Sequence, residues 1–223
     1  MKKFIPIIIA IIIILSIIFL LFGKNNYNFL NNGNNMSNKS ADEIKNYILN
    51  MDSFSAEISV TITSNKTIDT YVFNQKFKGN QYVQELLEPE NIAGLRILYD
   101  GTNIKVENTK IGISKMYENY KYITSNSLWI NTFTNDYKNE ANEKKMYEEN
   151  DTIVLEVKVK NENIYNTNKK LYIDKKTAKP VKMEVQDITQ NLKVYILYNK
   201  VEINTLQEEN IIAFKVKELN NII

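Results

Sequence analysis

The stretch Leu171–Asp187, LYIDKKTAKPVKMEVQD, constrains the fold more than any other part of the chain. Leu171 and Ile173 alternate with Tyr172 and Asp174. Val181, Met183 and Val185 alternate with Lys182, Glu184 and Gln186. A period of two places one face of each segment on a core and the other in water. The connector KKTAKP is turn chemistry, and Pro180 opens the second segment where no ladder donor is needed. The spacing predicts a β-hairpin, and the same order of strand, polar turn and strand recurs from residue 54 onward.

The types of residue that are missing narrow the function. The 223-residue chain contains neither cysteine nor histidine. Disulfides, thiolate metal sites and cysteine nucleophiles are therefore excluded, and so are imidazole acid–base chemistry and histidine-based triads. With 28 basic and 26 acidic residues the formal charge is +2. A balance this even gives no strong field for nucleic acid, and no nucleic-acid partner is expected. There is no glycine-rich phosphate loop among only 6 glycines, and no cofactor is expected.

The N-terminus is a second constraint. Lys2 and Lys3 precede an apolar run from Phe4 through Ile12 to Phe22, broken only by Pro6 and Ser16. Crossing a bilayer takes roughly 20 such residues. The run exceeds a signal-peptide core and no small-x-small cleavage site follows it. Residues 1–23 are expected to form an uncleaved signal anchor, with Lys2 and Lys3 inside and the remainder exported. Residues 24–39 are asparagine-rich and expected to be a flexible linker, and residues 40–223 an extracytoplasmic domain.

Within that domain, Ser40 and Glu43 have the spacing of a capping box. Ile44, Tyr47, Ile48 and Met51 then follow at helical spacing. Strands are expected over Phe54–Thr63, around Tyr71–Phe77, over Gln81–Leu87, and at Leu95–Tyr99 with Ile104 and Val106 beyond an Asp100-Gly101 turn. Asn108–Ile123 reads as loop. Ser125 or Asn126 is expected to cap a helix carrying Leu128, Trp129, Thr132, Phe133 and Tyr137. Lys138–Asn150 reads as a solvated connection. Strands resume with Ile153, Leu155 and Val157, then the hairpin. Leu192–Ile203 is apolar on both sides around Val194–Tyr198, as in a strand covered on both faces. Ile212, Phe214 and Val216 are expected to form a last strand.

This α+β order becomes more specific where LYID-KKTAKP-VKMEVQD is followed by LKVYILYNKVEIN and IIAFKV. Together with FNQKFKGNQYVQELLEP and ILYDGTNIKV upstream, these segments resemble the LolA-like lipoprotein-carrier superfamily over roughly residues 41–217. The resemblance implies a curved antiparallel sheet, an incomplete barrel, with an N-terminal and a mid-chain helix on its concave side. The segment ENIAGLRILYDGTNIKVENTKIGISKMYENYKYITSNSLW is similar in style to the membrane-tethered GerS-type germination lipoproteins of spore-forming Gram-positive bacteria. That group supports a cortex-modifying amidase. Two residues depart from the pattern. Lys24 stands after Leu21-Phe22-Gly23, where a lipidated cysteine would stand, and the chain's arginine, Arg96, lies in the fourth strand rather than the second. A freely shuttling carrier is therefore not carried over.

The paired carboxylates Glu148/Glu149 and Glu208/Glu209 are adjacent in sequence, so their side chains diverge and cannot share a proton. Ser64 and Ser114 lie beside lysines without the spacing of a serine–lysine enzyme. No enzyme is expected. The candidate binding feature is an apolar set of Trp129, Phe133, Phe73, Tyr71, Tyr195 and Phe214, with Phe54 and Tyr82 beside it, able to line a cavity for an acyl chain or hydrophobic peptide. The expected role is a non-catalytic, single-pass protein of the cell membrane that partners an envelope or spore-cortex enzyme. A lipid or lipoprotein chaperone and an envelope-stress sensor are the alternatives.

Overall fold

The structure, a computed structural model, describes residues 39–120, 127–160 and 165–206. It opens with helix α1, Ala41–Leu49. Strands β1 (Ser53–Thr63), β2 (Ile68–Lys78) and β3 (Gln81–Glu88) follow. Then come β4 (Leu95–Tyr99), β5 (Ile104–Asn108) and β6 (Ile113–Tyr117). Helix α2, Ile130–Lys138, separates these from β7 (Glu143–Glu149) and β8 (Thr152–Lys158). The last described strands are β9 (Asn168–Asp174), β10 (Pro180–Gln186) and β11 (Leu192–Ile203).

All eleven strands form one sheet in the order β6-β5-β4-β3-β2-β1-β11-β10-β9-β8-β7. Each neighbouring pair is antiparallel. The chain walks outward from β1 to one edge at β6, passes through α2 to the opposite edge at β7, and walks back to β11 beside β1. Among the described strands the sheet is therefore open, and the two at opposite ends of its order, β6 and β7, are consecutive in sequence. Asn204 fastens the seam where the two halves meet. Its side-chain oxygen accepts from the Asp52 and Ser53 amides at 2.8 and 3.2 Å, and its own amide donates to the Ser53 carbonyl.

Period-two alternation sets the buried face. Across five neighbouring strands Val60, Ile196, Met183, Leu171 and Leu155 stand opposite one another, and all are buried. Each such side chain contributes roughly 1.5–3 kcal/mol by leaving water. The capping box forms as expected: the Glu43 amide donates to Ser40 Oγ at 3.3 Å, and the Ser40 amide donates to Glu43 Oε2 at 2.8 Å. Ile44 and Ile48 are the buried stripe of α1. Between β3 and β4 the backbone turns at Gly94, whose φ of +89° and 2.9 Å approach of a would-be Cβ to Thr109 Oγ1 require glycine.

Several expectations are corrected. Asn108–Ile123 is not all loop, since β6 lies within it, and Lys138–Asn150 contains the tail of α2 and β7. The side chains of both strands are almost all exposed, so neither shows a burial alternation that periodicity could reveal. Leu128 and Trp129 precede α2 rather than belonging to it, and Trp129 occupies the N-cap without a side-chain cap bond. Val181 leaves the face of Met183 and Val185 because the ladder with β9 is irregular between Pro180 and Lys182. β11 is covered on one face only, and Leu197 on its other face is exposed. The expected anchor, linker and last strand lie outside the described residues. Among the described residues no helix is long and apolar enough to cross a membrane.

Candidate functional site

The candidate site is the sheet face beneath α2. Register places Phe54, Phe77, Tyr82 and Tyr99 in one transverse row from β1 to β4. Their rings touch in sequence, Phe54 and Phe77 at 5.8 Å, Phe77 and Tyr82 at 5.7 Å, Tyr82 and Tyr99 at 6.0 Å. Trp129 meets Tyr82 edge-on at 5.2 Å, and is 1% exposed. Phe133 is fully buried one helical turn along and stacks on Tyr137. The two aromatic residues expected to line a cavity on the mid-chain helix are thus buried against the sheet face. Burial, with the neighbouring Tyr99 adding to it, pushes the Tyr82 hydroxyl up, and burial pushes up that of Tyr137.

Polar groups fix where α2 lies. Asn131 Nδ2 donates to the Tyr82 hydroxyl at 2.5 Å. Gln75 and Gln84 are buried opposite each other on β2 and β3, joined at 3.3 Å, and Gln75 Nε2 also reaches the Leu128 carbonyl. On the other half of the sheet Lys169, only 2% exposed, donates to Asp136 of α2 at 2.5 Å. These contacts tie α2 to strands on both sides of the β1–β11 seam. Lys169 is not among the residues expected at the site from sequence. Its signal was present, because Lys169 stands two residues before Leu171 and so shares the buried face.

The remaining candidates do not converge on this place. Tyr71 and Phe73 stack at 6.1 Å on β2, half-buried, opposite Val60 and Ile58. Tyr195 points to the opposite face of the sheet from Ile196, near Lys182, whose Nζ lies 5.9 Å from its ring. There Lys182 also sits 3.9 Å over the Tyr172 ring and pairs with Glu184 at 2.7 Å. Burial and then the Glu184 charge push the Tyr172 hydroxyl well up. Phe214 lies outside the described residues, as do Phe4, Ile12 and Phe22.

Glu148 pairs with Lys175 at 2.7 Å on the exposed edge, apart from Glu149. Ser64 Oγ accepts from the Lys66 and Thr67 amides and closes a turn. Ser114 lies on β6, not in a loop. Among the described residues no group of three or more acidic side chains could hold a metal ion. A surface groove of about 580 Å³ runs over the face carrying Lys145, Glu156, Lys158 and Lys170, and alternating charge lines it.

A sheet walked outward in two halves and roofed by the segment that joins its edges defines an α+β fold. The chain belongs to the sporulation protein YdcC-like family, whose model matches residues 2–211. No curated protein matches the chain. Among solved structures, it is similar to a chain of the Clostridioides difficile CwlD amidase complex with the GerS lipoprotein, at 28% identity. That match covers 72% of this chain and 92% of that one, with a TM-score of 0.47. A LolA superfamily protein from Nitrosomonas europaea is 13% identical over 78% of this chain and 98% of its own, with a TM-score of 0.39. The Pseudomonas aeruginosa MucA/MucB complex contains a chain 14% identical over 76% of this one and 59% of its own, with a TM-score of 0.45.

Proposed function

We propose that this protein is a non-catalytic, membrane-anchored extracytoplasmic binding protein that supports an envelope or spore-cortex enzyme. One observation carries the reading: the sporulation family's model spans residues 2–211, so it takes in both the apolar run Phe4–Phe22 and the sheet. An anchor and a binding domain then belong to one inherited unit. The helix from Phe4 to Phe22 serves as export signal and anchor, and residues 24–39 set the reach of the domain from the bilayer. The resemblance of residues 90–129 to germination lipoproteins points to a cell-wall amidase-type partner.

The packing under α2 favours partnering over carriage of lipid. An acyl-chain carrier needs open apolar volume there, and Trp129 and Phe133 fill that place. The experiment is affinity capture of the full chain from sporulating cells, with the eluate probed for cell-wall amidases. Recovery of such an enzyme supports the proposal. Recovery of none, together with bound lipid on the purified chain, replaces it with the chaperone reading.

A further inference from the structure

We propose that the open edge of β6 is a strand-addition site for an extended segment of a partner protein with an acidic residue between two apolar ones. The proposal rests on the partner-binding reading above and names the surface that performs it.

β6 pairs with β5 and, among the described residues, has no second neighbour in the sheet. Successive residues of a strand direct their N–H and C=O groups to opposite sides, so the outer side of Ile113–Tyr117 presents unpaired donors and acceptors at alternate residues. Water can satisfy such a row, but it remains a template on which another strand can pair. The side chains agree with this. Ile113 is 64% exposed and Met116 53%, with Ile111, Tyr117 and Tyr120 exposed beside them. The contrast with the other edge is direct. β7 reads EKKMYEE, five charges in seven residues, which is how natural edges repel added strands. β6 reads ISKMY, with one charge.

That one charge selects the occupant. Ile113, Lys115 and Tyr117 share a face, standing opposite Asn108, Val106 and Ile104 of β5. Lys115 Nζ lies 4.9 Å from the Tyr117 ring. Glu107 stands across from Ser114 on the other face, already engaged by Arg96 at 3.3 Å and Lys105 at 2.8 Å. An added strand therefore meets apolar, cationic and apolar positions in succession, and its complement is apolar, acidic, apolar. A second copy of this chain is a poor occupant. Full antiparallel pairing of two β6 strands about a two-fold axis sets Lys115 directly opposite Lys115, like charges across a ladder.

The test uses the full chain in detergent and two blocked peptides of about ten residues, with Val-Thr-Glu-Thr-Val or Val-Thr-Lys-Thr-Val at the centre. Binding is read by fluorescence anisotropy and its location by hydrogen exchange. The glutamate peptide is expected to bind, to slow exchange at residues 113–117, and to bind roughly three-fold more tightly than the lysine peptide. Lys115→Glu is expected to invert that order, while Lys145→Glu on the opposite edge leaves it unchanged. The proposal is overturned by any of four results. These are no binding, binding without protection of β6, a preference that Lys115→Glu fails to invert, or β6 amides already protected without peptide by self-association or by the chain's own segments. If these occur while the full chain still captures an amidase, the edge assignment falls and the partner-binding reading stands.

Discussion

Lys169 Nζ lies 2.5 Å from Asp136 Oδ2, joining the start of β9 to the last turn of α2. The lysine is buried in the row that contains Val157 and Val185, and the carboxylate remains partly hydrated. A buried ammonium without its partner is costly, whereas an apolar replacement of the pair is not. Asp136→Ala is therefore expected to destabilise the protein by about 3–5 kcal/mol. Lys169→Met combined with Asp136→Ala should fall within about 1 kcal/mol of the parent. Urea unfolding of the two variants checks this, and equal losses in both would show that the pair does not hold α2.

The single tryptophan reports on the inner face. Because Trp129 is buried against Tyr82, its emission is expected well to the blue of free tryptophan and shielded from iodide. Apolar probes should leave that emission unchanged. Phe133→Ala, which opens a cavity beside it, should cost roughly 3–5 kcal/mol and make the indole quenchable. Quenching by iodide in the parent would mean that α2 stands open.

Acid should weaken the β10–β11 turn. Partial burial pushes the Asp187 carboxyl up, but donors from Thr189, Asn191 and Lys193 outweigh it and hold it well below the usual carboxylate range. A carboxyl whose folded pKa is lowered adds stability that is complete above its unfolded pKa of about 3.9, and that is lost as pH falls through the folded value. Asp187→Asn is thus expected to have a lower Tm than the parent at pH 7, with the gap closing below about pH 4. A gap independent of pH would assign the loss to packing instead.

The proposed anchor makes a separate prediction. Two charged residues introduced at Ile12 and its neighbour should each cost about 2.5–3.5 kcal/mol of insertion free energy. The variant should remain inside the cell, while the parent domain is cut by external protease on cells stripped of their wall. Protection of the parent, or its recovery as a shortened soluble species, would overturn both the topology and the extracytoplasmic role.

The sequence by itself determined the position of most elements whose residues alternate between core and water, though not that β11 is covered on one face only. β1, β4, the β9–β10 hairpin and the Asp100-Gly101 turn were legible, because alternation and turn residues are local consequences of burial on one face. The Ser40–Glu43 capping box was legible for the same reason, since both partners lie within one turn. Only the tertiary structure decided the rest. β6 and β7 exist because neighbouring strands offer them a ladder, and backbone pairing leaves no mark on exposed side chains. Pairing of β1 with β11 joins segments more than a hundred residues apart, so no local pattern encodes it. Tyr195 and Trp129 looked alike as aromatic candidates. Register with β10 sent Tyr195 to the outer face beside Lys182, whereas Trp129, at the N-cap of α2 and on no strand, packs edge-on against Tyr82, because contacts between elements distant in sequence decide which aromatic ring is covered.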